Sequence, residues 1–375
     1  MSHLYIHIPF CRQKCHYCDF YSIGNLRRKD DFLKALFCEF ELQKDYLNNR
    51  SLKTIYIGGG TPSVLSADDL LSLFETIGKY YQFSKNTEIT IECNPDDLTK
   101  PYVEALKQTP VNRISIGAQS FDNDFLAMLN RRHTAGQIRD AVKRLQDSGF
   151  QNVSLDVMFG LPQQSFAHWK EEIQHFLSLD VPHFSAYLLT IEKNTVFGRW
   201  QQRGQLQQPS TETLWDMYRY LIDEMQKNGY EHYEISNYAK PNYTSKHNTA
   251  YWQQKPYLGL GPSAHSYNGV ARQWNTANLV RYIEHLMQGK QLPFEHEVLS
   301  TKNKYNDLII TALRTKKGIS FSFLKSAYPE FWPVFEKALQ KYTESDLLEI
   351  GENSVHLSEK GFFVSDTIFV DFMAE

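Results

Sequence analysis

Three of the five cysteines in this chain of 375 residues lie within one short segment, at Cys11, Cys15 and Cys18. With three and then two residues between them, one loop can present three thiolates to three different irons of a 4Fe-4S cluster, which leaves the fourth iron without a protein ligand. A structural zinc site needs four closed ligands, and His16 would supply the fourth only by distorting the same loop. Ferredoxin motifs for plain electron transfer carry four cysteines. The segment therefore predicts a three-cysteine 4Fe-4S site with one iron open for chemistry.

A glycine-rich segment, Gly58-Gly-Gly-Thr-Pro-Ser63, follows the second predicted strand. Glycines let the backbone approach a ligand closely and turn amide and carbonyl groups toward it. A run of glycines also fits an ordinary turn. Its place at a strand end, opposite the cysteine loop, favours a ligand-binding role that suits an amino group.

Polar side chains follow the next three predicted strands, at Glu92, Gln119 and Asp156. Apolar strands do not carry buried charge without a partner. That partner is either a ligand with hydroxyl groups and a positive charge, or an arginine of the chain in an internal salt bridge. The arginines available for such a bridge are Arg113, Arg131 and Arg132. The residues alone leave both alternatives open.

The elements that must position these motifs repeat one pattern from Leu4 to about Thr190, a short β-rich run and then a segment of helical periodicity. Six strands are predicted, at Leu4–Pro9, Thr54–Ile57, Glu88–Glu92, Arg113–Ile116, Asn152–Val157 and His183–Leu189. Helical spacing marks residues 31–47, 66–81 and 136–149, and Ser66 with Asp69 resembles a capping box. Six βα units with right-handed crossovers form an open doubly wound sheet or a partial or full barrel. In each case ligands gather at the carboxyl ends of the strands, where the polar motifs fall.

The rest of the chain is predicted to form an extension of this core and a small separate domain. Residues 213–228 are interpreted as a helix, and the aromatic, glycine-rich residues 230–267 as a binding loop region. Two helices that end at Leu313 and Leu339, and a hairpin over residues 348–369, indicate a small α+β domain of the winged-helix type. The predicted divisions are a barrel core at residues 1–200, a barrel extension with the haem or substrate-binding loops at residues 201–300, and the C-terminal α+β domain at residues 301–375.

Composition narrows the class of protein. With 42% hydrophobic and 22% charged residues the chain can bury a full core, and a net charge of -3 gives no global reason to expect nucleic acid as a partner. No stretch approaches the roughly 18 apolar residues of a membrane span, so at most peripheral membrane contact is expected. An odd, sparse set of cysteines argues against a disulfide framework and for a cytoplasmic protein. Cys38 and Cys93 are predicted to be buried apolar thiols.

The Cys-x3-Cys-x2-Cys signature, with Tyr17 just before its last cysteine, resembles the radical S-adenosylmethionine (SAM) superfamily. The resemblance implies that the amino and carboxylate groups of SAM chelate the open iron. It also implies an electron donor for the cluster, because reduced clusters of this kind cleave the SAM sulfonium. The fold that it implies is an α/β partial (β/α)6 TIM-like barrel with the small C-terminal α+β domain.

Over most of its length the chain resembles the branch that contains oxygen-independent coproporphyrinogen III oxidases and HemW-type haem chaperones. Within Leu129-Asn-Arg-Arg-His133, Arg131 rather than Arg132 is the residue that the resemblance places against SAM. The SAM-binding residues carried over from the family are Tyr5, Gly59, Gly60, Thr61, Glu92, Gln119, Arg131, Asp156 and Leu188.

Two departures separate the chain from the decarboxylating oxidases. Phe20 stands where the oxidases carry a further cysteine, and only ten residues precede Cys11 where they carry an N-terminal extension. Both departures disfavour oxidative decarboxylation, which stays the alternative function, and they leave open whether the chain is an enzyme.

The segment His247-Asn-Thr-Ala-Tyr251-Trp252 resembles the His-Asn-x-x-Tyr-Trp motif that HemW-type proteins associate with haem. Histidine is the usual neutral nitrogen ligand of haem iron, and Tyr and Trp offer flat faces to a porphyrin. Taken alone, a loop histidine near aromatic residues is more often structural. Together with the other motifs, the resemblance implies a haem chaperone that binds haem, or a related tetrapyrrole, and delivers it to recipient haem proteins.

Overall fold

The six predicted strands all form, and they lie side by side in one parallel sheet. A computed structural model describes residues 2–290 and 294–375. The strands are β1 (Ser2–Ile8), β2 (Leu52–Gly59), β3 (Glu88–Cys93), β4 (Arg113–Gln119), β5 (Val153–Phe159) and β6 (His183–Leu188). They are joined by α1 (Lys29–Leu42), α2 (Ala67–Tyr80), α3 (Lys100–Leu106), α4 (Asn123–Met128), α5 (Ala135–Asp147) and α6 (Phe166–Leu177). Outside this run, β1 pairs with β9 and β6 with β8, so the barrel is open rather than closed.

Alternation along the strands separates two kinds of surface. In β1 the apolar Leu4, Ile6 and Ile8 join the hydrophobic core beneath the helices. Residues on the other face of β1 point into the barrel, where the His3 imidazole lies 2.8 Å from Thr54 Oγ1 of β2. Because successive side chains of a strand point to opposite faces, the barrel receives a polar interior and an apolar outer layer.

The helices start where side chains can cap them. Ser66 and Asp69 form the predicted capping box at the start of α2, through hydrogen bonds of 2.8 and 3.2 Å. Thr134 and Gln137 form a second capping box at α5. Such caps fix where each helix begins and therefore where each loop at the strand ends must run. The described residues also contain four short 3-10 helices, at Leu26–Arg28, Pro62–Val64, Pro95–Asp97 and Pro329–Phe331.

The region after β6 widens the sheet at both of its edges. Its elements are α7 (Val196–Gln202), α8 (Thr211–Lys227), β7 (Glu231–Glu234), β8 (Asn237–Ala239), α9 (Lys246–Trp252), β9 (Tyr257–Leu260), β10 (His265–Tyr267), β11 (Ala271–Asn275), α10 (Leu279–Met287) and β12 (Phe294–Val298). The sheet order is β12-β11-β10-β9-β1-β2-β3-β4-β5-β6-β8-β7. Residues 230–267, predicted as loops, therefore contain four short strands and a helix. Residues 291–293 of the predicted extension lie outside the described residues.

The C-terminal part folds as a small unit of helices and a three-stranded sheet. Its elements are α11 (Thr301–Leu313), β13 (Ile319–Ser320), α12 (Phe321–Ala327), α13 (Trp332–Tyr342), β14 (Leu348–Ile350), β15 (Ser354–Leu357), α14 (Glu359–Phe363) and α15 (Ser365–Phe372). The order helix, strand, two helices and two strands is that of a winged helix. The predicted hairpin over 348–369 is correct only as far as Leu357. Beyond it the chain is helical, because Phe362, Ile368 and Phe372 pack into the core at helical spacing.

Two further observations concern the chain as a whole. Cys93 is buried as predicted, but the prediction for Cys38 was wrong, because this thiol lies on an exposed position of α1. Within residues 2–290 and 294–375, no helix is long and apolar enough to cross a membrane. The divisions at residues 200 and 300 stay a prediction.

Candidate active site at the carboxyl ends of the strands

The loop after β1 brings the three clustered cysteines to one cavity of about 410 Å³. Two backbone hydrogen bonds close this loop, from Cys11 N to Ile23 O at 3.0 Å and from Ile23 N to Pro9 O at 2.8 Å. Cys11, Cys15 and Cys18 all line the cavity, and all three are free thiols. The arrangement fits a cluster held by three cysteines that face open space.

His16 does not complete a four-ligand metal site with these cysteines. Its Nδ1 lies 2.9 Å from the carbonyl oxygen of Met128. Its ring packs edge-on against Trp200, with the centroids 5.0 Å apart. Among the described residues, no three His, Cys, Asp or Glu side chains are grouped as ligands of one metal ion. The zinc alternative therefore finds no fourth ligand at His16.

The glycine strap, Gly58–Thr61, lies directly against the cysteine loop. Gly60 N donates to Ile8 O at 2.8 Å, and Thr61 N donates to Phe10 O at 2.7 Å. A Cβ atom on Gly60 would lie 2.6 Å from the second of these carbonyl oxygens, which no side chain tolerates. Because these amides already donate within the protein, the strap can offer a ligand acceptors, namely backbone carbonyl oxygens and the Thr61 hydroxyl oxygen, which suit a donor such as an amino group.

Two carboxylates line the same cavity from β3 and β5. Glu92 accepts hydrogen bonds from Tyr56 Oη at 2.8 Å and from Gly59 N at 3.1 Å. Ser115 Oγ donates to both oxygens of Asp156, at 3.2 and 3.3 Å. Withdrawal from water raises the pKa of Glu92 to about 7 and that of Asp156 to about 6. No arginine or lysine of the described residues lies within ion-pair distance of either carboxylate. The charge of the buried Arg113 lowers the pKa of both, but by less than burial raises it, so neither has a direct cationic partner.

Gln119 reaches the cavity through a local irregularity of β4. Its φ of 69° is positive, and the pairing of β4 with β5 shifts register between Gly117 and Gln119. A bulge of this kind turns a side chain away from the regular alternation. Such strain is found where a binding site depends on the position of one residue.

Arg131 and Arg132 both line the cavity, but they have different partners. Arg131 donates to Cys15 Sγ at 3.2 Å, to Gly117 O at 2.7 Å and to the side chain of Asn94. Its Nε is buried and has no hydrogen-bond partner. The guanidinium of Arg132 instead forms ion pairs with the two aspartates that follow Pro95, at 3.0 and 3.1 Å. Arg131 is therefore the arginine with unused hydrogen-bonding capacity beside the cysteines.

The His247 segment lies at the other end of the barrel. His247 is the second residue of α9, and its side chain is only 1% exposed. Its Nδ1 lies 2.6 Å from Thr54 Oγ1, near the start of β2, and its Nε2 lies 2.9 Å from Tyr251 Oη. Burial keeps the pKa of His247 well below its ordinary value, so the imidazole is neutral. From Thr54 to Gly60 the strand runs roughly 20 Å, which separates this histidine from the cysteine loop.

Trp252, the last residue of α9, connects this segment to the C-terminal unit. The guanidinium of Arg314 lies 4.4 Å from the Trp252 ring centroid. Arg314 also forms an ion pair with the fully buried Glu234 at 3.3 Å. The stacked cation and the buried pair fix the C-terminal unit against the end of α9.

Comparison with known proteins agrees with this geometry. The model of the radical SAM superfamily matches residues 5–176, and that of the HemN C-terminal domain matches residues 299–364. A protein of Lactococcus lactis named heme chaperone HemW is 36% identical over 99% of this chain and 97% of its own length. The protein of the same name from Bacillus subtilis is 37% identical over the full length of both chains. This chain belongs to the HemW family.

Members of the HemW family in other bacteria are similar over much of the chain, and a solved structure shares the fold. The Escherichia coli protein named heme chaperone HemW is 35% identical over 80% of both chains. The structure of coproporphyrinogen III oxidase (HemN) from Escherichia coli, described as a radical SAM enzyme, superposes with a TM-score of 0.86. It covers 100% of this chain and 90% of its own, at 21% identity. At this identity the likeness shows the shared fold.

Of the SAM residues predicted for this HemW-family chain, all but one line the cavity of the cysteines. Those that line it are Gly59, Gly60, Thr61, Glu92, Gln119, Arg131, Asp156 and Leu188. Tyr5 lies one layer deeper in the barrel, where its hydroxyl is 3.0 Å from His7 Nδ1. Their roles toward SAM stay a prediction.

Several residues that line the cavity were given no site role by sequence reasoning, among them Asn94, Met158 and Tyr187. Met158 is two residues after Asp156 on β5 and therefore on the same face, so strict use of the strand alternation would have found it. Asn94 directly follows Cys93 at the end of β3. Its role depends on its contact with Arg131, which no local pattern reveals.

Proposed function

We propose that this chain is a cytoplasmic haem-binding protein on a radical SAM scaffold, which delivers haem to recipient haem proteins. Relatives named heme chaperone HemW that match nearly the whole chain support the haem part of the proposal. The observation that carries it is the position of residues 247–252. They form a helix of their own at the end of the barrel opposite the cysteines, with His247 kept neutral by burial.

At the carboxyl ends of the strands, Cys11, Cys15 and Cys18 would hold the 4Fe-4S cluster, and the cavity beside them would hold SAM. When bound, these groups supply one-electron reduction of a sulfonium, with electrons from an external donor. The chain's own part is positioning. The unpaired carboxylates of Glu92 and Asp156 suit ribose hydroxyls and a cation, and the carbonyl oxygens of the glycine strap suit an amino group.

Haem iron needs a neutral imidazole nitrogen, and His247 meets this requirement electronically. Its Nε2 is held by the Tyr251 hydroxyl at 2.9 Å, so ligation requires Tyr251 to release that nitrogen. That hydrogen bond contributes about 1 kcal/mol. Because the imidazole is only 1% exposed and stacks on Tyr56, with the ring centroids 5.0 Å apart, ligation also requires α9 to move and expose the ring. The Tyr251 hydroxyl therefore blocks the ligand nitrogen until it is displaced. Trp252, at the end of the same helix, can offer a porphyrin only the ring face that Arg314 does not cover.

The test is a titration of the anaerobically prepared protein with haem, followed by the Soret absorbance. His247→Ala is expected to weaken haem binding at least tenfold, whereas Cys15→Ala leaves it unchanged. His183→Ala is the matched control, because His183 is also fully buried inside the barrel and bonded at both nitrogens. Tyr251→Phe keeps the packing but frees Nε2, and is expected to bind haem at least as tightly as the wild type.

Equal haem affinity in the wild type and in His247→Ala would exclude His247 as the ligand. A parallel assay with coproporphyrinogen, SAM and a reductant checks the alternative function. Turnover to a decarboxylated product without specific haem binding would replace the chaperone proposal with the oxidase.

A further inference from the structure

A second cavity, of about 390 Å³, opens at the amino-terminal ends of the strands. It is almost as large as the cavity beside the cysteines, and it borders α9, the helix that carries His247. The residues that line it are His3, Lys53, Thr244, Lys246, Thr249, Ala250, Gln253 and Lys255. Three lysines thus share one cavity, and no carboxylate is among its lining residues.

The positive charge of this lysine cavity is not neutralised by the protein. In the part of the chain that the structure describes, Lys53, Lys246 and Lys255 take part in none of the ion pairs, whereas many other exposed lysines do. The Glu88 carboxylate lies close by, but it accepts hydrogen bonds from the backbone amides of Lys246 and His247, at 3.0 Å each. A single carboxylate can offset at most one of the three lysine charges.

His3 forms part of the cavity wall and connects it to the His247 segment. Its Nδ1 lies 2.8 Å from Thr54 Oγ1, the same hydroxyl that His247 Nδ1 contacts. The single hydroxyl proton of Thr54 can serve only one of the two imidazoles, so the other must donate to the oxygen. Burial, and secondarily nearby positive charges that include Lys53 and Lys255, lower the pKa of His3 to about 4. His3 is therefore neutral, and among the residues that line this cavity only the lysines are charged.

The ligand that fits is an anion with more than one negative group. Ammonium groups bind carboxylates as point charges without fixed geometry, and the threonine hydroxyls and the Gln253 amide supply further hydrogen bonds. Haem carries two propionate carboxylates along one edge. A cavity of this volume accepts that edge of the molecule, and the apolar macrocycle must then lie outside it, next to α9.

We propose that the lysine cavity binds the propionate carboxylates of haem and so places the macrocycle beside the His247 segment. This inference rests on the proposed function. It adds the residues that recognise the anionic edge of the ligand, which are separate from the residues that ligate the iron.

The experiment compares haem with its dimethyl ester, in which both propionates are uncharged. The triple variant Lys53→Gln, Lys246→Gln, Lys255→Gln is expected to bind haem about tenfold more weakly than the wild type, since exposed charge pairs are individually weak. The wild type is expected to bind the ester as weakly as the triple variant binds haem, and the triple variant to make no distinction between the two ligands. Replacement of the same lysines by arginine, which keeps the charge, should restore haem affinity to within about twofold.

The matched control replaces three exposed lysines that lie outside the cavity, Lys79, Lys85 and Lys337, by glutamine. It makes the same change in net charge and is expected to leave haem affinity unchanged. A wild type that binds haem and its ester equally would overturn this inference while the proposed function stands. No haem binding by the wild type would defeat the proposed function itself. Inorganic phosphate that binds the wild type but not the triple variant, while both bind haem equally, would make the cavity a phosphate site and also overturn the inference.

Discussion

The ionisation of Glu92 should control how tightly SAM binds. Withdrawal from water raises the pKa of this carboxyl to about 7 in the protein, although Tyr56 and Gly59 donate hydrogen bonds to it. A ligand that brings hydroxyl donors and a positive charge binds the ionised form and not the protonated form. Because the pKa is raised, the binding form is scarce at acidic pH, and SAM affinity rises as the pH increases through 7.

The magnitude follows from the ionised fraction. With a pKa of about 7, Glu92 is roughly one tenth ionised at pH 6 and roughly nine tenths ionised at pH 8. SAM affinity should therefore rise about tenfold over this range through Glu92, or about 1.3 kcal/mol. Asp156, whose pKa is raised to about 6, adds roughly a further factor of two.

The assay is equilibrium binding of SAM to the cluster-loaded protein under anaerobic conditions at pH 6, 7 and 8. SAM and the cluster titrate as well, but they contribute equally to the wild type and to Glu92→Gln. The ratio of the two affinities at each pH therefore isolates Glu92, and it should change about tenfold between pH 6 and 8. Asp156→Asn is the matched control and should remove only the factor of about two. Parallel pH profiles for the wild type and Glu92→Gln would refute the assignment of Glu92 to the SAM site.

Three further predictions concern SAM binding by the two arginines, the close packing of Gly60 and the burial of Glu39. Arg131→Gln should weaken SAM binding at least tenfold in the same assay. Arg132→Gln loses only its aspartate partners and should change SAM affinity by less than about threefold. Equal losses of affinity in the two variants would contradict the choice of Arg131. Gly60→Ala should lower the free energy of unfolding, measured by urea denaturation, by about 2 kcal/mol or more, because its Cβ would meet backbone carbonyls. Gly78→Ala, with no atom within 4 Å of its Cβ, should leave that free energy unchanged or raise it. Burial raises the pKa of the Glu39 carboxyl from 4.5 to about 7. Its ionisation is therefore harder in the folded protein than in the unfolded chain, and it lowers the free energy of unfolding by nothing below pH 4.5 and by about 3 kcal/mol above pH 7. Unfolding curves at pH 5 and 8 should show this loss of stability in the wild type and not in Glu39→Gln.

Sequence patterns predicted the barrel well because its signals are local. In β1, the alternation of Leu4, Ile6 and Ile8 with polar residues requires a strand with one apolar face, and right-handed crossovers then leave few topologies. The residues at the carboxyl ends could be predicted to meet for the same reason. Whether the sheet closes could not be predicted, since that depends on the pairing of β1 with β9, more than 240 residues away.

The errors arose where tertiary contacts decide the outcome. Residues 359–372 are rich in aromatic and β-branched side chains, which favours a strand on propensity, yet they form two helices that pack against α8, α11 and α13. Propensity is a weak prior, and a complementary apolar surface overrides it. The short strands of residues 230–267 were missed because each has only three or four residues, too few to show a period.

The contacts of His247 could not be predicted from its sequence motif. Its contacts are Thr54, 193 residues away in the chain, and Glu88, 159 residues away, and both belong to the polar interior of the barrel. Under the proposed function, that interior would bind a different ligand at each of its two ends. At the carboxyl ends the unpaired carboxylates face the cysteines, and at the amino-terminal ends a neutral imidazole lies beside unpaired lysines. Because the two ends attract ligands of opposite charge, one barrel can hold a cationic sulfonium ligand and an anionic tetrapyrrole without competition between them.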